Sequence, residues 1–443
     1  MLRIVTQRPE AEAELQRICD RARADWEGPR EFTVREILQT VQRKGDVALL
    51  DYAAEFDGVD MSLDDLKVSG AELEAAYQTI SPQLLDAIQM AKERIEAFHR
   101  QRVPKGWVTF PDDNIVLGKR YTPVDRAGLY VPGGRAAYPS TVLMNAVPAV
   151  VAGVPEIVMV TPPGSGSLNP DGSKNKSINP AILVAAQVAG VETIFRVGGA
   201  QAVAALAYGT TSIPKVDVIT GPGNTYVTLA KKLVYGTVGI DSLAGPSEVL
   251  IIADRTANPV HLAADLLAQA EHDPMASAIL LVTDYDLALQ VEKALTTQLE
   301  NHPRRTLTEK AIAHYGLIVV VENLDEAVEL SNLFAPEHLE LEVEDPWTVV
   351  EGIRHAGAIF LGHDTPEAVG DYIAGPNHTL PTSGAARYAS ALGVEVFMKH
   401  SSLVQYNKQA LKEVAGAIAA LTEAEGLPSH GDSVRLRLES ETN

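Results

Sequence analysis

Between residues 126 and 361 short, unbroken apolar runs alternate with helix-forming stretches, an order that few architectures can absorb. EIVMVTP, VETIFRV, VDVIT, EVLIIAD, SAILLVTD, GLIVVV, LELEV and GAIFLG read as strands. NPAILVAAQVAG, TYVTLAKKLVYG, PVHLAADLLAQAEHD, LALQVEKALTTQLE, LDEAVELSNLF and TVVEGIRHA read as helices between them. A strand that is apolar at successive positions is buried on both faces, which implies parallel sheets covered by helices. The expected fold class is therefore α/β, with two parallel-sheet blocks joined near SLAGPSE at 242–248.

The flanks differ. Up to about residue 110 the chain reads as charge-rich helices, AEAELQRICDRARAD, TVREILQTVQRKGDVALLDYAAEF, AELEAAYQTI and PQLLDAIQMAKERIEAFHRQR, each with one apolar stripe and no legible chemistry. The run GSGSLNPDGSKNKSIN at 164–179 has nothing to bury and is expected as a surface loop. Past about 385 the tail carries the amphipathic helix VQYNKQALKEVAGAIAALTEAEG and no expected sheet of its own, so it is a candidate dimer arm. The expected division is a helical extension at 1–30, the first part of α/β domain 1 at 31–129, α/β domain 2 at 130–246, the second part of domain 1 at 247–392, and a helical tail at 393–443.

A net charge of -21 argues against a phosphate-backbone partner, so no nucleic acid is expected. No apolar run is long enough to span a bilayer, and the start lacks a secretory or transit signal, so the default location is the cytoplasm. The single cysteine, Cys19, excludes an intrachain disulfide framework and a cysteine-rich metal site, and its charged surroundings are unpromising for a thiol nucleophile.

Several polar clusters interrupt the apolar scaffold. Gln269 and His272 close a helical run three residues apart, a chelating spacing on one helix face, although a polar helix end before Pro274 explains them as well. Glu337 beside His338, between a helix and a strand, can divide two proton transfers or merely form a loop ion pair. Asp371 and His378 sit in GDYIAGPNHTLPTSG, where an oxygen and a nitrogen ligand both suit zinc. Three glycine turns, GLYVPGG at 128–134, VGGAQAVA at 197–204 and ITGPGNTYV at 219–227, offer backbone amides to an anion but lack the full dinucleotide fingerprint.

Together GLYVPGG, STVLMNAVPA, VGGAQAVAALAYGT, GPGNTYV, AGPSEVLIIAD, LLAQAEHDP, APEHLEL, GDYIAGPNHTLPT and the distal His430 resemble the histidinol dehydrogenase family from about residue 30 onward. The resemblance implies incomplete Rossmann-like domains, one Zn2+ per subunit on Gln269, His272, Asp371 and His430, and a homodimer in which His430, and Glu425 with it, crosses the interface. It implies Glu337 and His338 as the catalytic pair. Ser247, Gln269, His272, His338, Asp371, His378 and Glu425 become substrate contacts, and Tyr130, Gln201 and Asn224 become NAD contacts on the three glycine turns. The implied reaction takes L-histidinol through L-histidinaldehyde to L-histidine with two NAD. In it His338 is the base for the alcohol step and Glu337 activates water for the aldehyde step. The 164–179 run is longer than expected for the family core. Two rivals stay open at this point: a zinc hydrolase using the same ligands, and a ligand-binding protein without chemistry.

Overall fold

The computed structural model describes residues 2–21, 28–133, 138–164, 169 and 175–439. Gly134, which ends the first glycine turn, and most of 164–179 lie outside them. In chain order the strands are β1 (Arg3–Val5), β2 (Trp107–Asp112), β3 (Ile115–Pro123), β4 (Arg126–Tyr130), β5 (Glu156–Thr161), β6 (Thr193–Arg196) and β7 (Val218–Thr220). They continue with β8 (Gly239–Ile240), β9 (Glu248–Ala253), β10 (Ser277–Val282), β11 (Gly316–Val320), β12 (His338–Glu342), β13 (Ala358–Leu361) and β14 (Met398–Tyr406).

Residues 1–102 and 124–397 form one unit holding two parallel sheets, with orders β1-β11-β10-β9-β12-β13 and β6-β5-β4-β7-β8. The sequence pattern required both. In β9 all six residues are buried, and its side chains alternate between two cores. Val249, Ile251 and Ala253 meet Leu262, Leu266 and Ala270 of the helix Pro259–Ala270, while Leu250 and Ile252 meet Leu330 and Phe334 on the opposite face. β12 reads His-Leu-Glu-Leu-Glu, an alternation that ordinarily marks a half-exposed strand, yet His338, Glu340 and Glu342 are all buried. A buried row of ionisable groups beside apolar strands is costly unless partnered, which marks β12 as a candidate site.

Three expectations are corrected. The 1–30 segment is not wholly helical, because Arg3–Val5 pairs in parallel with β11 as an edge strand, a run too short to be legible in the sequence. Val34, Ile37, Leu38, Val41 and Leu66 share a core with Val158, Phe195 and Leu206, which places part of 31–129 with the five-stranded sheet rather than wholly with the six-stranded one. The tail does own a sheet: Val404, Gln405 and Tyr406, expected to begin a helix, end β14 instead, which pairs antiparallel with β3 along nine residues.

Residues 103–123 and 398–443 form the second unit. Its three-stranded sheet has the order β14-β3-β2, followed by the helices Lys408–Ala424 and Pro428–Glu439. Among the described residues no helix is long and apolar enough to cross a membrane.

Candidate active site

One peptide group organises the two candidate catalytic side chains. β9 and β12 are parallel neighbours, with His338 opposite Val249, so the first residue of β9, Glu248, lies beside the start of β12. The Glu248 N–H donates to Glu337 Oε2 at 2.9 Å, and the Glu248 carbonyl accepts from His338 Nδ1 at 3.0 Å. A carbonyl cannot donate, so Nδ1 carries the ring proton and Nε2 is the basic nitrogen of the neutral ring. Both side chains are buried, and burial pushes the Glu337 carboxyl up to about 7. Burial works against charge on His338, but the carboxylates of Glu367, Glu337 and Asp371 outweigh it and raise the ring well above its ordinary value.

Local sequence explains the approach to this pair. The helix Leu324–Phe334 stops at Ala335, whose φ of 56° is left-handed, and Pro336 follows to carry the chain into Glu337. Glu248 is itself pinned from the amino terminus. Arg21, just past the helix Arg8–Asp20, donates to the Glu248 side chain at 3.0 Å as a buried ion pair. The same guanidinium reaches the carbonyls of Pro246, Ser247 and Met275. Arg21 lies in the segment where the sequence showed no chemistry, and nothing local marks it.

The four-apart carboxylates of E-A-V-G-D form the second half of the site. Glu367 and Asp371 lie on the short helix Glu367–Tyr372, one turn apart. Their oxygens and a His272 nitrogen all fall within 4.8 Å of one another. Glu367 was missed from sequence, although its spacing from Asp371 was the available signal. The helix Pro259–Ala270 ends one residue after Gln269, so His272 stands in the turn beyond it, and both line the same cavity. Gln269 is fully buried, with Nε2 3.3 Å from Glu367 Oε2 and an Oε1 that has no hydrogen-bond partner among the described residues. An orphaned buried acceptor beside two carboxylates and an imidazole is a donor set that fits a divalent cation. His378 donates from Nδ1 to the Asp371 carbonyl at 3.1 Å, and it lines the cavity with Ser247, Glu337, His338 and Asp371.

The cavity, about 370 Å³, continues to Pro222, Gly223 and Asn224 in the third glycine turn. Asn224 caps the helix Thr225–Val234 by accepting from the N–H groups of Tyr226 and Val227. Tyr130 and Gln201 are buried and do not line the cavity; the Tyr130 hydroxyl accepts from the Gly199 N–H at 3.1 Å, and burial raises the phenol to about 12. Gly221 has a φ of 115°, and a Cβ there would stand 2.0 Å from the Tyr130 carbonyl oxygen, so only glycine lets these two turns meet. A buried Lys231–Asp241 pair grips the same residue, Lys231 Nζ donating to its carbonyl and its N–H donating to Asp241. Glu425 and His430 belong to the second unit, where both are exposed, Glu425 at the end of the helix Lys408–Ala424 and His430 in the helix Pro428–Glu439. Cys19 is buried in the helix Arg8–Asp20 and does not line the cavity.

The sequence model of the histidinol dehydrogenase family matches residues 20–438. Histidinol dehydrogenase 2 of Trichormus variabilis is 70% identical over 441 residues, covering 100% of both chains. Histidinol dehydrogenase of a Synechococcus species is 69% identical over 99% of both. The crystal structure of histidinol dehydrogenase from Elizabethkingia anophelis superposes with a TM-score of 0.91 at 36% identity, over 100% of this chain and 98% of that one. With the fold and the full length matched, the chain belongs to the histidinol dehydrogenase family.

Proposed function

We propose that the chain oxidises L-histidinol to L-histidine in two NAD-dependent hydride transfers, the last step of histidine biosynthesis, with zinc on Gln269, His272 and Asp371 and on His430 of the partner subunit. The observation that carries this is the Glu248 peptide, which holds Glu337 and His338 side by side at a cavity that also contains the cation-type donor set. In the first step His338, in its neutral form, takes the hydroxyl proton at Nε2 while hydride leaves the carbinol carbon for NAD, giving the aldehyde. In the second, Glu337 takes a proton from water as the water oxygen bonds to the carbonyl carbon. The hydrate then gives hydride to a second NAD and a proton to solvent, leaving the carboxylate. Bound zinc supplies positive charge that clamps the substrate nitrogens and fixes the reacting carbon.

A thiohemiacetal route finds no support, because Cys19 is buried away from the cavity lining. Ser247 and His378, with Glu425 of the partner subunit, complete the substrate grip in this proposal, and Tyr130, Gln201 and Asn224 serve NAD. The NAD contacts fall within 130–246 and the catalytic pair with Gln269, His272 and Asp371 within 247–392, while His430 lies in the tail at 393–443. A chain without a disulfide framework suits a reducing cytoplasm. Absorbance at 340 nm tests the reading. The zinc-loaded protein given histidinol and NAD is expected to form two NADH per histidine, whereas ester or amide cleavage without NADH would move the assignment to the hydrolase alternative.

A further inference from the structure

A glutamine amide is nearly symmetric in shape, so a buried glutamine serves as an oxygen ligand only if something forces its oxygen to the correct side. At Gln269 two neighbours compete for that choice. His338 Nδ1 lies 3.2 Å from Nε2, and Glu367 Oε2 lies 3.3 Å from it. His338 Nδ1 cannot accept, because its proton is committed to the Glu248 carbonyl. Glu367 can, since a carboxyl keeps an accepting lone pair in either protonation state. Were Glu367 absent, Gln269 could instead turn its oxygen to the His338 Nδ1–H. That would present an NH2 group to the cation and draw the imidazole away from Glu248.

Glu367 is in turn held in place by the catalytic strand. Its backbone N–H donates at 2.8 Å to Glu340 Oε1, and Glu340 is buried on β12 two residues beyond His338 and on the same face. The chain Glu340 to Glu367 to Gln269 thus ties the proposed metal ligand to the strand that carries the base.

We propose that Glu367 is a positioning residue that locks the amide of Gln269, turning Oε1 to the metal and leaving His338 Nδ1 to Glu248. The proposal rests on Gln269 being a metal ligand. Zinc affinity of the full-length protein, measured by competition with a chromophoric chelator, provides the test, with the visible spectrum of the cobalt-loaded form as a second readout of ligand geometry. Glu367→Ala is expected to weaken zinc roughly 10–100-fold and to shift the cobalt spectrum. Glu367→Gln, which keeps an accepting oxygen, is expected to stay within a few-fold of the native affinity. Adding Gln269→Glu to Glu367→Ala makes both ends of residue 269 acceptors, so it is expected to recover zinc binding that Glu367→Ala alone has lost. Equal loss in Glu367→Gln and Glu367→Ala would make residue 367 a direct ligand or a charge, and native affinity in Glu367→Ala would remove the lock; either overturns the proposal. Gln269→Ala separates the two layers. If it leaves zinc affinity unchanged, the metal reading fails together with the lock, whereas loss in Gln269→Ala with no loss in Glu367→Ala defeats the lock alone.

Discussion

Glu337 and His338 share one peptide partner, and in the proposed reaction each acts as a base only when unprotonated. The Glu337 carboxyl, pushed up to about 7 by burial, acts as a base only once ionised. The rate of aldehyde oxidation is therefore expected to climb as pH passes through about 7 and then level, and stopped-flow NADH formation from histidinaldehyde reads this directly. Glu337→Gln is expected to abolish that climb and slow the aldehyde step by about 10²–10⁴-fold, while the alcohol step survives in single turnover. Loss of both steps together would argue against the division of labour. The same group is linked to stability. Its folded value lies above its ordinary 4.5, so its contribution is complete below 4.5 and is lost as pH rises through about 7. Thermal melts of Glu337→Gln are expected to gain on the native protein at pH 8 relative to pH 5, and a constant difference would contradict the assignment.

At the scale of elements, the site is made by strand starts and helix ends. The helix Arg8–Asp20 matters because Arg21 at its end pairs with Glu248, the residue whose peptide aligns the proposed catalytic pair. Removing one partner of a buried ion pair leaves the other charged and unpaired, at a cost of about 3–5 kcal/mol. Arg21→Met is thus expected to lower the denaturation midpoint and kcat together, with stability partly recovered in Arg21→Met/Glu248→Met; circular dichroism melts and steady-state kinetics on both variants provide the comparison. The strand and helix pattern was legible in the sequence, because periods of 2 and 3.6 are local properties. Arg21 was not, since its partner is 227 residues away and no periodicity announces it.

At the scale of the molecule, the second unit exposes large apolar side chains, Phe110 at 67%, Val404 at 69% and Leu421 at 63%. Such a surface suits pairing with a second copy, as the shared-site proposal requires. Light scattering is expected to give a dimer. Individually, His430→Ala and His272→Ala are expected to be nearly inactive. After unfolding and co-refolding in equal amounts, half the dimers would be mixed and each would hold one intact site, so about a quarter of native turnover is expected. Activity no greater than that of the separate variants would place His430 outside its partner's site.

Local patterns in the sequence were enough to fix the α/β class, the parallel sheets, the polar interruptions at Gln269, Glu337, His338 and Asp371, and the family resemblance, because each is carried by neighbouring residues or by contiguous motifs. Tertiary structure alone decided which of those residues meet. The register that sets His338 opposite Val249 joins strands almost ninety residues apart, and it brings the Glu248 peptide under Glu337 and His338. The same packing turned Glu367 toward Gln269, Glu340 toward Glu367 and Arg21 toward Glu248. Periodicity determines which face a side chain occupies; strand order and register, which belong to the whole chain, determine what it faces.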